Sequence, residues 1–252
     1  MILLYMISSI ILLLYHKFVC YNWVMDKNLR MRLIVGFGMF FVALVALYTF
    51  DAIPFKVIFG LFAFVSAIEL FSFFKRKTTF LTIMLAAIEI AFLVCGTFFV
   101  AKIDPAHFWY IILGVCGYDI FAYAFGKILG GKIFKKSRPF PHISKNKTWE
   151  GTCLGLATSV GLVAIMMSAR NAFAYEWLYL LCGPLAVMGD LFESYLKRKF
   201  GVKDSNEILI KNKFFEKVEL VVGGTEGHGG FLDRIDSTAF TTTVLLIISL
   251  FI

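Results

Sequence analysis

Three aspartates in the C-terminal part of the chain, Asp190, Asp233 and Asp236, are the residues best suited to bind a divalent cation. They lie in a charged stretch, residues 189–237, although 60% of the chain is hydrophobic. Carboxylate oxygens are the ligands that a hard cation such as Mg²⁺ prefers. Asp190 ends one apolar segment and the other two aspartates precede the next. We therefore predict that two helix ends offer their carboxylates to one shared Mg²⁺ ion.

Basic side chains are interleaved with these aspartates. Ammonium and guanidinium groups bind phosphate through charge-assisted hydrogen bonds, so the stretch predicts a nucleotide phosphate site beside the ion. The basic residues concerned are Lys197, Arg198, Lys203 and Arg234. Ser194 lies four residues after Asp190 and so on the same helical face. His228 is predicted to contact phosphate or to carry a proton, with a structural role in a glycine turn as the alternative. A solvated charged loop is the alternative for the whole stretch.

A second group of polar residues occupies two segments, 126–132 and 144–151. Glycines in the first segment let the backbone approach a ligand closely. The pattern GxxxxGK[ST] is missing, so the segment is not a P-loop. The candidate phosphate-binding residues of the two segments are Lys127, Ser144, Lys145, Lys147 and Thr148. A role in membrane topology alone is the alternative for about half of the lysines.

Asp119 lies within an apolar run, where a carboxylate costs on the order of 3 kcal/mol unless it faces a polar cavity or a partner. We expect a substrate-binding role, and a helix end at the membrane interface is the alternative. Glu89, deeper in another apolar run, either lines a cavity or forms an interhelical hydrogen bond. Glu69 is nearer the end of its segment, and we expect its role to be structural.

The elements that must position these residues are membrane-spanning helices. Mean hydropathy is +0.81, and apolar runs of roughly 20 residues follow one another along the chain. The predicted spans are 2–15, 33–50, 53–74, 79–101, 106–125, 152–169, 173–188 and 237–252. We therefore predict an all-α, polytopic membrane bundle of about eight helices. Without tandem repeats or Pro/Gly/Ser-rich linkers, residues 1–252 are expected to form a single domain.

The distribution of charge sets the orientation of this bundle. The chain has 25 basic and 17 acidic residues, a net charge of +8. Most basic residues fall in four loops that an eight-helix count places on one face, which the positive-inside rule makes cytoplasmic. Topology therefore explains the charge, and we expect no nucleic acid partner. The turns on the opposite face are too short to build a site, so the active site is expected on the cytoplasmic face.

Ordered blocks of these residues resemble the phosphatidate cytidylyltransferases, also called CDP-diacylglycerol synthases. The resemblance covers about residues 119–237. The blocks that carry it are Asp119, Ala122-Tyr123 and Gly126-Lys127; SKNKTWEG at 144–151; GDLFES at 189–194; and Lys197-Arg198, Lys203-Asp204, His228-Gly229-Gly230, Asp233-Arg234 and Asp236. Two departures from the family pattern are an insertion at about 207–227 and a short N-terminal part.

The resemblance implies a reaction and its participants. Members of this family transfer a cytidylyl group from CTP to phosphatidic acid with Mg²⁺, giving CDP-diacylglycerol and pyrophosphate. It also implies a second, monovalent cation such as K⁺, a homodimer, and contact with membrane lipids. The predicted spans suit the bacterial inner membrane, with an organelle membrane as the alternative. Asp190 and Asp233 would bind the metal with help from Asp236, the basic residues and Asp204 would bind substrate, and Ser144 and Ser194 would position it.

Three other functions stay open on the sequence. A CTP-dependent polyprenol or phytol kinase would transfer the γ-phosphoryl group instead of the cytidylyl group. A transporter would use Asp119 and Glu89 to bind a translocated ion and would tolerate the loss of Asp190 or Asp233. A member of the family inactivated by the insertion would serve only as a lipid-binding scaffold.

Overall fold

The computed structural model describes residues 53–135, 138–171, 176–202 and 232–251, all of which belong to one compact unit, 49–252. The described part is all-helical and contains no strand. Its six α-helices are α1 (Ile53–Phe73), α2 (Phe80–Lys102), α3 (Pro105–Leu129), α4 (Trp149–Ala169), α5 (Cys182–Phe200) and α6 (Leu232–Ser249). A short 3₁₀ helix, Trp177–Leu181, leads into α5.

Local sequence explains where several helices begin and end. Thr79 and Thr82 form a reciprocal capping box at the start of α2. The Asp104 carboxylate accepts a hydrogen bond from the Ala106 N–H, 2.8 Å away, at the start of α3. The α5 helix ends at Gly201, whose φ of 73° is a left-handed conformation that suits glycine.

Four helices, α1 to α4, are long and apolar enough to cross a membrane. Large hydrophobic side chains on their surfaces remain exposed, including Leu61 and Phe64 on α1 and Val94 and Phe98 on α2. Such exposure is expected where lipid rather than water surrounds a helix. The described part is therefore that of an integral membrane protein.

The packing places α6 among the other helices. It contacts α1, α2, α3 and α5, while α3 and α4 form the most extensive helix pair. Near its start, α6 crosses α5 so closely that a Cβ atom at Gly189 would lie 2.8 Å from the Ser237 Cα. This crossing brings the two acidic ends of the sequence, Asp190 and the first turns of α6, to the same part of the bundle.

The observed helices correct two predicted boundaries. The seventh predicted span, 173–188, is replaced by the 3₁₀ helix and α5, which runs to Phe200. The last helix begins at Leu232 rather than at 237, because Asp233 is paired inside the protein and its charge does not end the helix. The first two predicted spans lie outside the described residues, so the count of eight stays a prediction.

The glycines of the GxxxG pair in α4, Gly151 and Gly155, explain the close approach of α3. A Cβ atom on Gly155 would lie 2.7 Å from the Ala122 Cβ and 2.9 Å from the Ala122 backbone. This pair therefore serves the packing of α3 against α4.

We predict that Gly155→Ala lowers stability by about 1–3 kcal/mol, because the two helix backbones must move apart. Gly161→Ala in the same helix is the matched control, since a Cβ atom there has no neighbour within 4 Å. The measurement is the thermal unfolding midpoint in detergent. Equal midpoints for the two variants would contradict the prediction.

Candidate active site

Lys197 on α5 connects this helix with α6 through ion pairs. Its ammonium nitrogen lies 2.7 Å from a carboxylate oxygen of Glu193, one turn earlier in α5, and it also pairs with Asp233 at the start of α6. The three side chains are only 11%, 1% and 14% exposed, respectively. Burial by itself would lower the pKa of Lys197, but the two carboxylates raise it above its usual value, so the ammonium group stays charged. We call these three residues the Lys197 cluster.

A second ion pair joins the motif at 144–151 to α5. Lys147 pairs with Asp190, and its ammonium nitrogen lies 5.6 Å from the centre of the Tyr118 ring on α3. Burial alone would lower the pKa of Lys147, whereas the Asp190 carboxylate raises it above its usual value. Two sequence blocks that are far apart along the chain therefore meet in one charged site.

Asp190 is also close enough to Asp119 on α3 and Asp236 on α6 for their charges to interact. Asp236 is buried, Asp190 is half-buried and Asp119 is exposed. Glu89 on α2, itself buried, interacts electrostatically with Asp236. Acidic side chains from four helices, α2, α3, α5 and α6, thus interact electrostatically in this part of the bundle.

The donor atoms of this site suit a hard cation. Asp119, Asp190 and Asp236 supply carboxylate oxygens, the ligands that such a cation prefers. Negative charges at short range repel one another, and a cation between them would offset that repulsion. In the described part of the chain, no group of three or more His, Cys, Asp or Glu side chains is arranged to hold a metal ion as it stands. The lysines Lys147 and Lys197 occupy the carboxylates of Asp190 and Asp233 instead.

Glu150 organises the glycine-rich turn that follows α3. One oxygen of its buried carboxylate accepts hydrogen bonds from the backbone N–H groups of Gly131, Ile133 and Phe134, at 2.9, 3.0 and 3.0 Å. Gly131 has a φ of 77°, a conformation that glycine adopts without strain. The turn is therefore fixed to the start of α4, next to the motif that carries Lys147.

The other predicted residues differ in their surroundings. Thr148 is buried and its hydroxyl caps α4 by accepting from the Gly151 N–H at 3.0 Å. Arg198 is exposed, and its guanidinium donates to the Val202 carbonyl oxygen at 3.2 Å, near the end of α5. Ser144 and Ser194 are half-buried, whereas Lys127 and Lys145 are exposed. Lys203, Asp204 and His228 lie outside the described residues, and for Arg234 only the backbone is described.

Sequence reasoning did not assign two residues of the site. Glu193 completes the Lys197 cluster, and its signal is an i,i+4 spacing from Lys197, at which a Glu and a Lys on one helix are neighbours. Tyr118 lies beneath the Lys147 ammonium group. In the sequence, Tyr118 is an aromatic residue next to Asp119 in an apolar run. Nothing in that pattern distinguishes a residue that contacts a lysine from one that packs in the core.

The helices and the charged site between them define an integral membrane protein suited to bind phosphate groups. A profile of the cytidylyltransferase family matches residues 83–210. The chain is 30% identical over 239 residues to a phosphatidate cytidylyltransferase of Rickettsia felis, covering 89% of this chain and 93% of that protein. The chain therefore belongs to the cytidylyltransferase family and is a nucleotidyltransferase.

Two more relatives agree with this assignment. A phosphatidate cytidylyltransferase of Rickettsia prowazekii is 29% identical over 244 residues, covering 90% of this chain and 94% of that protein. One of Helicobacter pylori is 40% identical over 130 residues, covering 50% of this chain and 42% of that protein. The resemblance inferred from the sequence motifs is thus confirmed.

Proposed function

We propose that this protein transfers the cytidylyl group of CTP to phosphatidic acid, producing CDP-diacylglycerol and pyrophosphate. The observation that supports this most directly is the pairing of Lys147 with Asp190, because it joins two of the sequence blocks that carry the family resemblance in one partly buried charged site. Its location next to apolar, lipid-facing helices suits a substrate whose acyl chains stay in the bilayer.

The chemistry of the reaction fits these residues. The attacking phosphatidate oxygen is already anionic near neutral pH, so the reaction needs charge neutralisation and in-line placement more than a general base. Lys147 and Lys197 would bind the triphosphate or the lipid phosphate, and the acids that now pair with them hold both ammonium groups in position. Arg198, Lys203 and Arg234 would extend this basic surface.

We propose that Asp190 and Asp233 bind Mg²⁺, with help from Asp236. A bound Mg²⁺ ion would neutralise charge on the triphosphate and on the pyrophosphate leaving group. What supports this proposal is the position of Asp236, which is buried within electrostatic range of both Asp190 and Asp233. A monovalent cation such as K⁺ and a homodimer are further proposals that rest on the family resemblance.

The proposed topology has about eight spans with the charged site on the cytoplasmic face, in the bacterial inner membrane. The positive-inside rule supports this orientation, because most basic residues of the sequence fall in loops on one side of the predicted spans. The α5 helix carries three consecutive basic residues, Lys197 to Lys199, in its last turn. This end of α5 is expected to face the cytoplasm.

A double-label assay tests the proposed reaction against its nearest rival. Purified protein in detergent is incubated with phosphatidic acid, a polyprenol, Mg²⁺ and CTP labelled at either the α- or the γ-phosphate. We expect the α-label to enter the lipid and the γ-label to leave in pyrophosphate, with no transfer when EDTA is present. Transfer of the γ-label to a lipid alcohol, with release of CDP, would identify a lipid kinase instead.

A further inference from the structure

Glu69 on α1 contacts the start of α6 from a distant part of the chain. Its carboxylate accepts a hydrogen bond from the Leu232 backbone N–H at 2.9 Å, across 163 residues of sequence. Glu69 is 2% exposed and Leu232 is fully buried. A buried carboxylate from one helix therefore binds the first backbone N–H of another.

The first N–H groups of a helix have no partner within that helix, and inside a protein each needs an acceptor. Usually the side chain of the residue before the helix accepts from the second or third of these N–H groups. Here Phe231 precedes Leu232, and Gly229 and Gly230 come before it, so none of these side chains can accept a hydrogen bond. Glu69 supplies the acceptor, and its negative charge also suits the positive end of the α6 dipole.

The first turn of α6 is the part that carries the acids of the site. Asp233 follows Leu232 directly and pairs with Lys197, and Asp236 lies one turn later, within electrostatic range of Asp190. A hydrogen bond to the Leu232 N–H fixes both the axial position and the rotation of this turn. On α1, the Ser72 hydroxyl donates to the backbone carbonyl oxygen of Glu69 at 2.6 Å, so the Glu69 carboxylate is left to contact α6.

We infer that Glu69 is a positioning residue for the transferase reaction: it holds the first turn of α6 so that Asp233 and Asp236 face the substrate phosphates. The inference rests on the proposed function. It assigns Glu69 no contact with substrate. The contribution of Glu69 to the reaction therefore depends on the length of its side chain and on its ability to accept the Leu232 hydrogen bond, rather than on its charge alone.

Three substitutions separate reach from charge. Glu69→Gln keeps the length and an acceptor oxygen, Glu69→Asp keeps the charge but is one methylene shorter, and Glu69→Leu removes the acceptor. We expect kcat to fall by less than about fivefold in the Gln variant and by roughly 10–100-fold in the Asp and Leu variants, as a displacement of about 1 Å in catalytic groups can produce. The Mg²⁺ concentration for half-maximal activity should rise little in the Gln variant and more in the Asp and Leu variants.

Ser66→Ala is the matched control. Ser66 lies three residues before Glu69 on the same helix, is equally buried, and its hydroxyl has no hydrogen-bond partner in the described part of the protein. This variant is expected to keep the wild-type kcat and Mg²⁺ dependence.

Hydrogen exchange of the wild-type protein, of the Gln and Asp variants and, where it folds, of the Leu variant provides a readout that does not depend on turnover. Loss of protection limited to residues 232–236 in the Asp variant, with residues 240–249 unchanged, would support the inference even if the Leu variant does not fold. Wild-type kcat, Mg²⁺ dependence and exchange in a folded Asp or Leu variant would overturn it and leave the proposed function intact. An inactive wild-type protein would overturn the proposed function, and the positioning role with it, while the exchange data would still report the cap itself.

Discussion

Asp233→Asn is expected to reduce Mg²⁺-dependent incorporation of α-labelled CTP into lipid by on the order of 10³-fold, the loss typical of removing a group that acts on transition-state charge. The asparagine has the same shape and can still accept a hydrogen bond from Lys197, which also keeps its pair with Glu193. The fold should therefore survive while the negative charge is lost. The measurement is the initial rate of liponucleotide formation over a range of Mg²⁺ concentrations.

A second aspartate supplies the control for this experiment. Asp104 caps α3 by accepting from the Ala106 N–H, and asparagine is as good a capping residue as aspartate. Asp104→Asn should therefore keep full activity and stability. A full rate in the Asp233→Asn variant would refute a role for the Asp233 charge in the reaction.

Lys197→Met is expected to affect stability and activity together. Removal of one partner from a buried ion pair leaves uncompensated charge and typically costs about 3–5 kcal/mol. Here Glu193 and Asp233 both lose the ammonium group that they share. Activity should also fall by on the order of 10²–10³-fold, since a cation that neutralises phosphate is lost. Thermal unfolding in detergent and the liponucleotide assay measure the two effects.

The double variant Lys197→Met/Glu193→Gln separates these effects. Replacing Glu193 removes the charge of a buried carboxylate that has lost its ion pair with Lys197, so the double variant should regain part of the lost stability. Its activity should stay low, because the Lys197 ammonium group that would bind phosphate is still missing. Recovery of activity along with stability would show that Lys197 serves the fold alone.

Much of the helical architecture could be predicted from the chain. The apolar runs around α1 to α4 correspond to helices whose ends lie within four residues of the predicted limits, because each run is long enough to span and polar or glycine residues follow it. The same reasoning failed for α5 and for the start of α6. Both helices carry charged residues on faces that pack inside the protein, and hydropathy cannot distinguish such a segment from a loop.

The candidate site could be predicted in part. The carboxylates and cations that would bind a metal ion and phosphate groups were identified by residue type and by their order along the chain. Their partners were not, since the choice of Asp190 for Lys147 depends on how α3, α4 and α5 cross. The sequence predicts only a structural role for Glu69, because its partner, the Leu232 N–H, lies 163 residues away.

The sequence alone determined the class of the protein, its membrane helices and the kinds of groups available for chemistry, because hydropathy and side-chain chemistry are local properties. Only the tertiary structure decided which acid pairs with which lysine and what caps α6. These contacts join residues far apart in the chain, and they form where small residues such as Gly155 and Gly189 allow helices to approach closely.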